Sequence, residues 1–421
     1  MNMFYLQFFI AAYILQTAIA SSIDKTESGL FVETGIVDKT ESGLYVETGT
    51  ASDNTTRSLL TANSVNANDA DFVKWSGRYV NQSDGSVLFD WVGISASITL
   101  DSSVTYVLVN INDNCQGGYA GGGSRWLVTV TTANEFTSPP NHRVSTFYSS
   151  PFVPTYVMWT NQGGKCDPQC NYAGNTTFTL TRITESRVSV CDGTGNLSVV
   201  KFTSDGNFLP PPPPRTRMVE FIGDSISAGD LNDGATDGVL PSRCGNIAMN
   251  DDITYTSGAQ LCLATTGLNC DAVFAAWGGI DLVNMFSLYH YTWGNGLLPL
   301  WKWSTQPKEP DAVVINLGTN DRPVSPALEW QKLYVNFVMN ITQTYNNPPT
   351  FFLAYGPMTN EYEPFVVNVT KTLTTMGYKV AALDLTLAHP MTGCFGHPSF
   401  ADNIEIAAKA KPQVASVMNW T

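Results

Sequence analysis

The run Met218-Val219-Glu220-Phe221-Ile222-Gly223-Asp224-Ser225 reads as a short apolar strand that ends in a glycine-permitted turn carrying a serine. A continuous apolar run of this length, bounded by a turn signal, is the pattern of a strand buried on both faces. Ala312-Val313-Val314-Ile315-Asn316-Leu317 followed by Gly318-Thr319-Asn320-Asp321 repeats it, and residues 350–354 and 379–383 are two further buried-strand candidates. Residues 327–345 and 364–376 have helical length and spacing. Strands alternating with helices imply a three-layer α/β/α domain on a parallel sheet, with chemistry at the carboxyl ends of its strands.

Upstream the texture changes. Ile94-Ser95-Ala96-Ser97-Ile98-Thr99-Leu100 alternates apolar and polar side chains, as a strand with one buried face does. Residues 104–111, 126–131, 155–159, 177–183 and 197–202 are further β-rich runs separated by Gly, Asn, Asp and Ser, which predicts an all-β sandwich over residues 71–209. Five prolines at 210–214 form a stiff connector of about 15 Å at the polyproline rise. The linker is placed at 210–217 and the α/β domain at 218–421, a division expected for a chain of 421 residues.

Residues 1–20 carry no charge and end in Ala18-Ile19-Ala20, which reads as a signal peptide and implies a secreted, extracellular protein. Residues 21–70 contain a tandem duplication beginning at Asp24 and again at Asp38. Two short copies cannot build a solenoid, so this segment is read as a flexible spacer. Asn-x-Ser/Thr sequons begin at Asn54, Asn81, Asn175, Asn196, Asn340, Asn368 and Asn419 and mark candidate glycosylation sites. In an oxidising compartment the 8 cysteines point to disulfides, and Cys166 and Cys170 lack the further ligands that would complete a zinc set. No metal or cofactor is called for. A net charge of -14 without long charged runs argues against nucleic acid and anionic membrane as partners and favours neutral ligands.

Three separated segments carry chemistry. Ser225, following a strand, can expose its hydroxyl as a nucleophile while its own N–H faces a developing oxyanion. Asn320, after a second strand, can bring its amide to the same sheet edge. Gly396-His397-Pro398 offers a general base, and Ser399 with Asp402 has the spacing of a capping box that starts a helix there, with Phe400, Ile404 and Ala407 as its apolar face. His389 is the competing base. His142 lies in the β region and His290 lacks this setting.

Together these segments resemble the blocks of the SGNH, or GDSL-type, hydrolase superfamily. The two-part plan is similar to the family-two carbohydrate esterases, which couple an N-terminal jelly-roll sandwich to an SGNH domain and remove acetyl groups from plant polysaccharides. Trp75-Ser76-Gly77-Arg78 and Thr181-Arg182-Ile183-Thr184-Glu185 support the likeness, which extends over residues 71–421 and leaves out the repeat. It implies Ser225 as nucleophile, His397 as base, and Ser225 N–H, Asn320 and Gly279 as oxyanion donors, with Gly278 the alternative glycine. The superfamily's aspartate three residues before the histidine is Cys394 here, a disulfide candidate. A backbone carbonyl has precedent in the family for orienting the imidazole, and Asp384 is the other candidate third member. Of the catalytic-half tryptophans, which include Trp301 and Trp330, we take Trp277, Trp293 and Trp303 as substrate candidates. The resemblance implies an esterase that deacetylates xylan, mannan or glucomannan. The alternatives are an SGNH enzyme acting on another acyl ester, and a carbohydrate-binding glycoprotein whose esterase site has decayed.

Overall fold

The computed structural model describes residues 29–32, 35–40, 43–47, 62–113, 124–132, 142–150, 152–160, 174–184, 197–233, 244, 250–292, 300–321 and 327–420. The signal-peptide reading, Trp293, Asn54, Asn196 and the cysteines at 115, 166, 170 and 191 fall outside them. Among the described residues no helix is long and apolar enough to cross a membrane.

Two six-stranded antiparallel sheets make the sandwich. One has the order His142–Tyr148, Arg125–Thr132, Thr176–Arg182, Ser95–Leu100, Phe208–Leu209, with Val73–Ser76 also on Ser95–Leu100. The other runs Thr155–Thr160, Tyr106–Asp113, Leu197–Ser204, Val87–Phe89, Tyr79–Asn81, with Asn63–Asn66 on Leu197–Ser204. Period-two alternation sets which side chains meet between the sheets. Along Thr176–Arg182, Phe178 and Leu180 turn into a core shared with Ile98, Trp126, Val107, Val109 and Phe202. Thr177 and Thr179 turn outward and bond across the strand to Thr99 and Ser97, at 2.9 and 2.8 Å.

Beyond the prolines a five-stranded parallel sheet has the order Cys270–Ala276, Arg217–Gly223, Ala312–Asn316, Thr350–Tyr355, Val380–Asp384. The central strands are buried on both faces, as the apolar runs require. Four of the five strands match the sequence expectation. Cys270–Ala276 was missed, because Asp271 and three alanines dilute its apolar signal. Helices Ala327–Thr342 and Glu363–Thr375 lie where periodicity puts them. The helix Phe400–Met418 starts on the expected capping box, but its buried face is Asn403, Ile406, Ala407, Ala410 and Val414. Ile404 points outward, since it lies about 200° round the helix from Ile406 at 3.6 residues per turn.

The sandwich and the parallel sheet belong to one compact unit rather than two bodies held by the linker. Val92, Leu127 and Ile183 of the sandwich share a core cluster with Val219, Phe221 and Phe274 of the sheet. A buried ion pair also joins them. Arg78 Nη2 lies 2.6 Å from Glu220 Oε1, both side chains are fully buried, and the guanidinium stacks 4.1 Å from the centre of the Tyr289 ring. The other carboxylate oxygen of Glu220 accepts from Tyr345 Oη at 2.6 Å, Trp303 Nε1 at 2.9 Å and Tyr289 Oη at 3.0 Å.

The duplicated segment is a unit of its own. Where a spacer was expected, Gly29–Val32, Gly35–Thr40 and Gly43–Glu47 pair as a three-stranded antiparallel sheet, with Leu30 opposite Val37 and Val37 opposite Val46. Three strands are the smallest number that makes an independent sheet plausible, and the duplication supplies them.

Candidate active site

Register brings the separated blocks to one edge. In the parallel ladders Gly223 is paired with Ala276 on one side and Asn316 on the other. The chain therefore leaves three adjacent strands at one level, and each exit loop carries one block: Ser225, Gly279 and Asn320. The order places the Arg217–Gly223 strand between the Cys270–Ala276 and Ala312–Asn316 strands, where the connections run off in opposite directions, the position at which open α/β sheets bind ligands.

Gly223 has no room for a side chain, because a Cβ would stand 2.2 Å from Ser227 Oγ and 2.8 Å from the Asn316 carbonyl oxygen. Asp224 caps the short helix Ser225–Ala228 by accepting from Ile226 N at 3.0 Å. Ser225 is the first helical residue, so its N–H has no intrahelical acceptor and is available to an anion. The Asp224 carboxyl is fully buried; that burial pushes it up to about 7, against the Ile226 N–H and the Thr319 hydroxyl, which favour the charged form.

His397 Nε2 lies 2.9 Å from Ser225 Oγ, and its Nδ1 lies 3.1 Å from the Cys394 carbonyl oxygen. A carbonyl only accepts, so Nδ1 carries the proton and Nε2 is left to accept from the serine hydroxyl. Burial lowers the His397 pKa below its usual value, partly offset by the Cys394 carbonyl, and the imidazole is neutral at pH 7. A neutral, oriented imidazole on a serine hydroxyl is the arrangement of an activated nucleophile.

The remaining two blocks are stapled together. Asn320 Nδ2 donates to the Ile280 carbonyl at 3.0 Å, and Asp321 accepts from Leu282 N at 3.2 Å, at the start of helix Leu282–Leu288. One hydrogen of the Asn320 amide is thus held and the other remains for a ligand. Gly279 has φ +73° and is exposed, and a Cβ there would meet nothing within 4 Å, so backbone conformation rather than space favours glycine. The sequence reading missed Asp321 as the residue that ties these loops. Its position right after Asn320 was the available signal.

Other candidates are placed elsewhere. The Asp384 carboxylate is taken by Lys409 Nζ at 2.8 Å and Thr386 Oγ1 at 2.7 Å, so it does not serve as the third member; the group facing His397 Nδ1 is the Cys394 carbonyl. Cys394 is disulfide-bonded to Cys244, and Cys262 to Cys270. His389 is exposed and pairs with Glu405 at 3.2 Å, and His290 hydrogen-bonds Asn340 Oδ1. Trp303 is buried with its N–H on Glu220 and cannot line a substrate cleft, whereas Trp277 is half-buried beside Gly278. Asn81, Asn175, Asn368 and Asn419 are exposed. Asn340 is half-buried inside a helix and engaged by His290, a poor position for a glycan.

A β-sandwich packed on a parallel sheet is also the fold of solved family-two carbohydrate esterases, and in this chain a Ser–His pair lies at the carboxyl edge of that sheet. No protein-family model matches the chain. It is 22% identical over 389 residues to an acetylxylan esterase / glucomannan deacetylase of Cellvibrio japonicus, covering 87% of this chain and 95% of that protein. It is 27% identical over 237 residues to the cellulase/esterase CelE of Acetivibrio thermocellus, covering 51% of this chain and only 27% of that longer protein. A solved family-two carbohydrate esterase from Clostridium thermocellum, in complex with cellohexaose, has a TM-score of 0.67 at 22% identity, over 83% of this chain and 100% of that one.

Proposed function

We propose that this chain is a secreted serine esterase that removes O-acetyl groups from neutral plant-type polysaccharides such as xylan, mannan or glucomannan, through an acetyl-enzyme. The observation that carries the reading is the continuous chain from Ser225 Oγ to His397 Nε2 and from His397 Nδ1 to the Cys394 carbonyl. The names of the relatives support the substrate class, as does the low density of charge across the sequence.

In this mechanism His397 Nε2 takes the Ser225 proton as Oγ attacks the acetyl carbonyl. Ser225 N–H, Gly279 N–H and the unheld hydrogen of the Asn320 amide donate to the negatively charged tetrahedral oxygen. The imidazolium then gives its proton to the sugar oxygen as the bond between that oxygen and the acyl carbon breaks, releasing the sugar hydroxyl. Water, deprotonated by the same imidazole, attacks the acetyl-enzyme; as the acyl C–Oγ bond breaks the imidazolium returns the proton to Ser225 Oγ and acetate leaves. The Cys394 carbonyl holds the imidazolium during both steps without taking the proton.

The test is acetate release from acetylated xylan and acetylated glucomannan by the wild-type protein beside Ser225→Ala, with 4-nitrophenyl acetate and butyrate as controls. Release that requires Ser225 is the expected result. Turnover of the nitrophenyl esters alone would reject the polysaccharide, and silence on every ester would reject the esterase.

A further inference from the structure

We infer that the Cys244–Cys394 disulfide is a positioning device for His397, holding in place the carbonyl that orients the imidazole, so that full turnover needs the bond intact. The inference rests on the esterase reading and adds to it a residue, Cys244, that contacts none of the reacting atoms.

The loop from Gly393 to His397 closes on itself, Gly393 N–H donating to the His397 carbonyl at 2.8 Å, but its tip is exposed. Phe395 is 74% exposed and Gly396 is left-handed with φ +79°. Phe395 itself takes φ +52°, uncommon for a residue with a side chain. Cys394 is the exception at 1% exposure. Its carbonyl accepts twice from His397, from the backbone N–H at 3.0 Å and from Nδ1 at 3.1 Å. Orientation of the imidazole is therefore set by where this one peptide group sits.

On its C-terminal side His397 is fixed by the helix it precedes. Ser399 and Asp402 form the capping box, and Thr392 N donates to Asp402 at 2.7 Å. These contacts close the loop on its own helix. On the N-terminal side, Cys394 is tied to the rest of the domain by its N–H to the Leu231 carbonyl at 3.3 Å and by the disulfide, which spans 150 residues. The disulfide is the one covalent anchor between the base and a distant part of the chain among the described residues.

Charged groups around the histidine do not substitute for this anchor. Asp224, at the nucleophile turn, is directed to Ile226 N, and Asp402, on the following helix, to Thr392 and Ser399. His389 pairs with Glu405 at 3.2 Å and lies 3.9 Å from Asp402. The Cys394 carbonyl is the group that favours the charged imidazole, working against burial.

The experiment compares wild type, Cys244→Ala/Cys394→Ala and, as a disulfide-loss control, Cys262→Ala/Cys270→Ala. The readouts are kcat, KM, and the His397 pKa by NMR titration of the imidazole. The 244/394 variant is expected to lose about 10- to 100-fold in kcat, the scale of a small misplacement of a catalytic group, with KM changed far less. Its His397 pKa moves further down, because the hydrogen bond that favoured the charged form is weakened. The 262/270 variant keeps wild-type kcat and His397 pKa even if its melting temperature falls. A 244/394 variant with wild-type kcat, or with an unmoved imidazole titration, overturns the inference. Absence of serine-dependent turnover in the wild type would instead reject the esterase reading, and the NMR titration would still decide the positioning role.

Discussion

Replacing Glu220 with leucine removes the acceptor on which the joint between sandwich and sheet depends. In the intact protein its carboxylate receives Arg78 at 2.6 Å, Tyr345 at 2.6 Å, Trp303 at 2.9 Å and Tyr289 at 3.0 Å, all buried. Burial pushes the phenols of Tyr289 and Tyr345 up, so both remain protonated donors. After Glu220→Leu the two hydroxyls still bond each other at 2.9 Å, and Arg78 still reaches the Tyr289 carbonyl. What is left is an uncompensated buried guanidinium, costing about 3–5 kcal/mol, and an orphaned indole N–H, costing about 1–3 kcal/mol. These overlap, so a loss of about 4–6 kcal/mol is expected, comparable to the whole stability of a marginal domain at about 5–15 kcal/mol. The double variant Arg78→Met/Glu220→Leu removes the charge as well and should recover about 3 kcal/mol of that loss, leaving the orphaned indole. Denaturant unfolding followed by tryptophan fluorescence measures both, and the double-mutant cycle isolates the coupling. A single variant within about 1 kcal/mol of wild type, or a double variant no more stable than the single, would refute the claim that this pair stabilises by mutual neutralisation.

Four other outcomes bear on the site. In the proposed mechanism Asn320→Ala removes one oxyanion donor and should lower kcat by about 100- to 1000-fold with a smaller change in KM; steady-state kinetics on an acetyl ester checks this. Because the base must be neutral and its pKa lies below 6.5, the acid limb of kcat/KM should fall below pH 6.5. The same group makes the folded state bind fewer protons than the unfolded one between these values, so its stabilisation is complete above pH 6.5 and is lost as pH falls through the lowered pKa; melting temperature against pH, for wild type and His397→Asn, checks the sign. Asp384→Asn should leave kcat within about twofold, because the partly exposed pair it makes with Lys409 is worth at most about 1 kcal/mol and touches neither Ser225 nor His397.

Secondary structure was legible in the chain where the signal was local. The apolar run into Gly223-Asp224-Ser225, the capping box at Ser399 and Asp402, and the alternation through Ile98 and Leu100 are each set by nearest neighbours, and the structure shows the strand, helix start and sheet face they predict. Asp384 and Trp303 failed for the opposite reason. A carboxylate at a strand end and an indole in an aromatic-rich stretch look the same whether they face a site or a lysine and a buried glutamate. Ile404 failed by helical phase, which a capping box starts but packing selects.

The four parallel strands with continuous apolar runs, the two long helices that follow them, the glycine that the Ser225 turn requires, and the presence of a serine, an amide and an imidazole at these turns were legible in sequence alone, because turn chemistry and periodicity act over a few residues. Tertiary structure brought His397, already singled out by its setting before a capped helix, to Ser225, and decided that a carbonyl and not the Asp384 carboxylate faces its Nδ1, which cysteine pairs with Cys394, and that Glu220 and Arg78 bind two sheets into one unit. Those outcomes depend on register and on contacts between residues up to 172 positions apart, and no local pattern in a single chain encodes them.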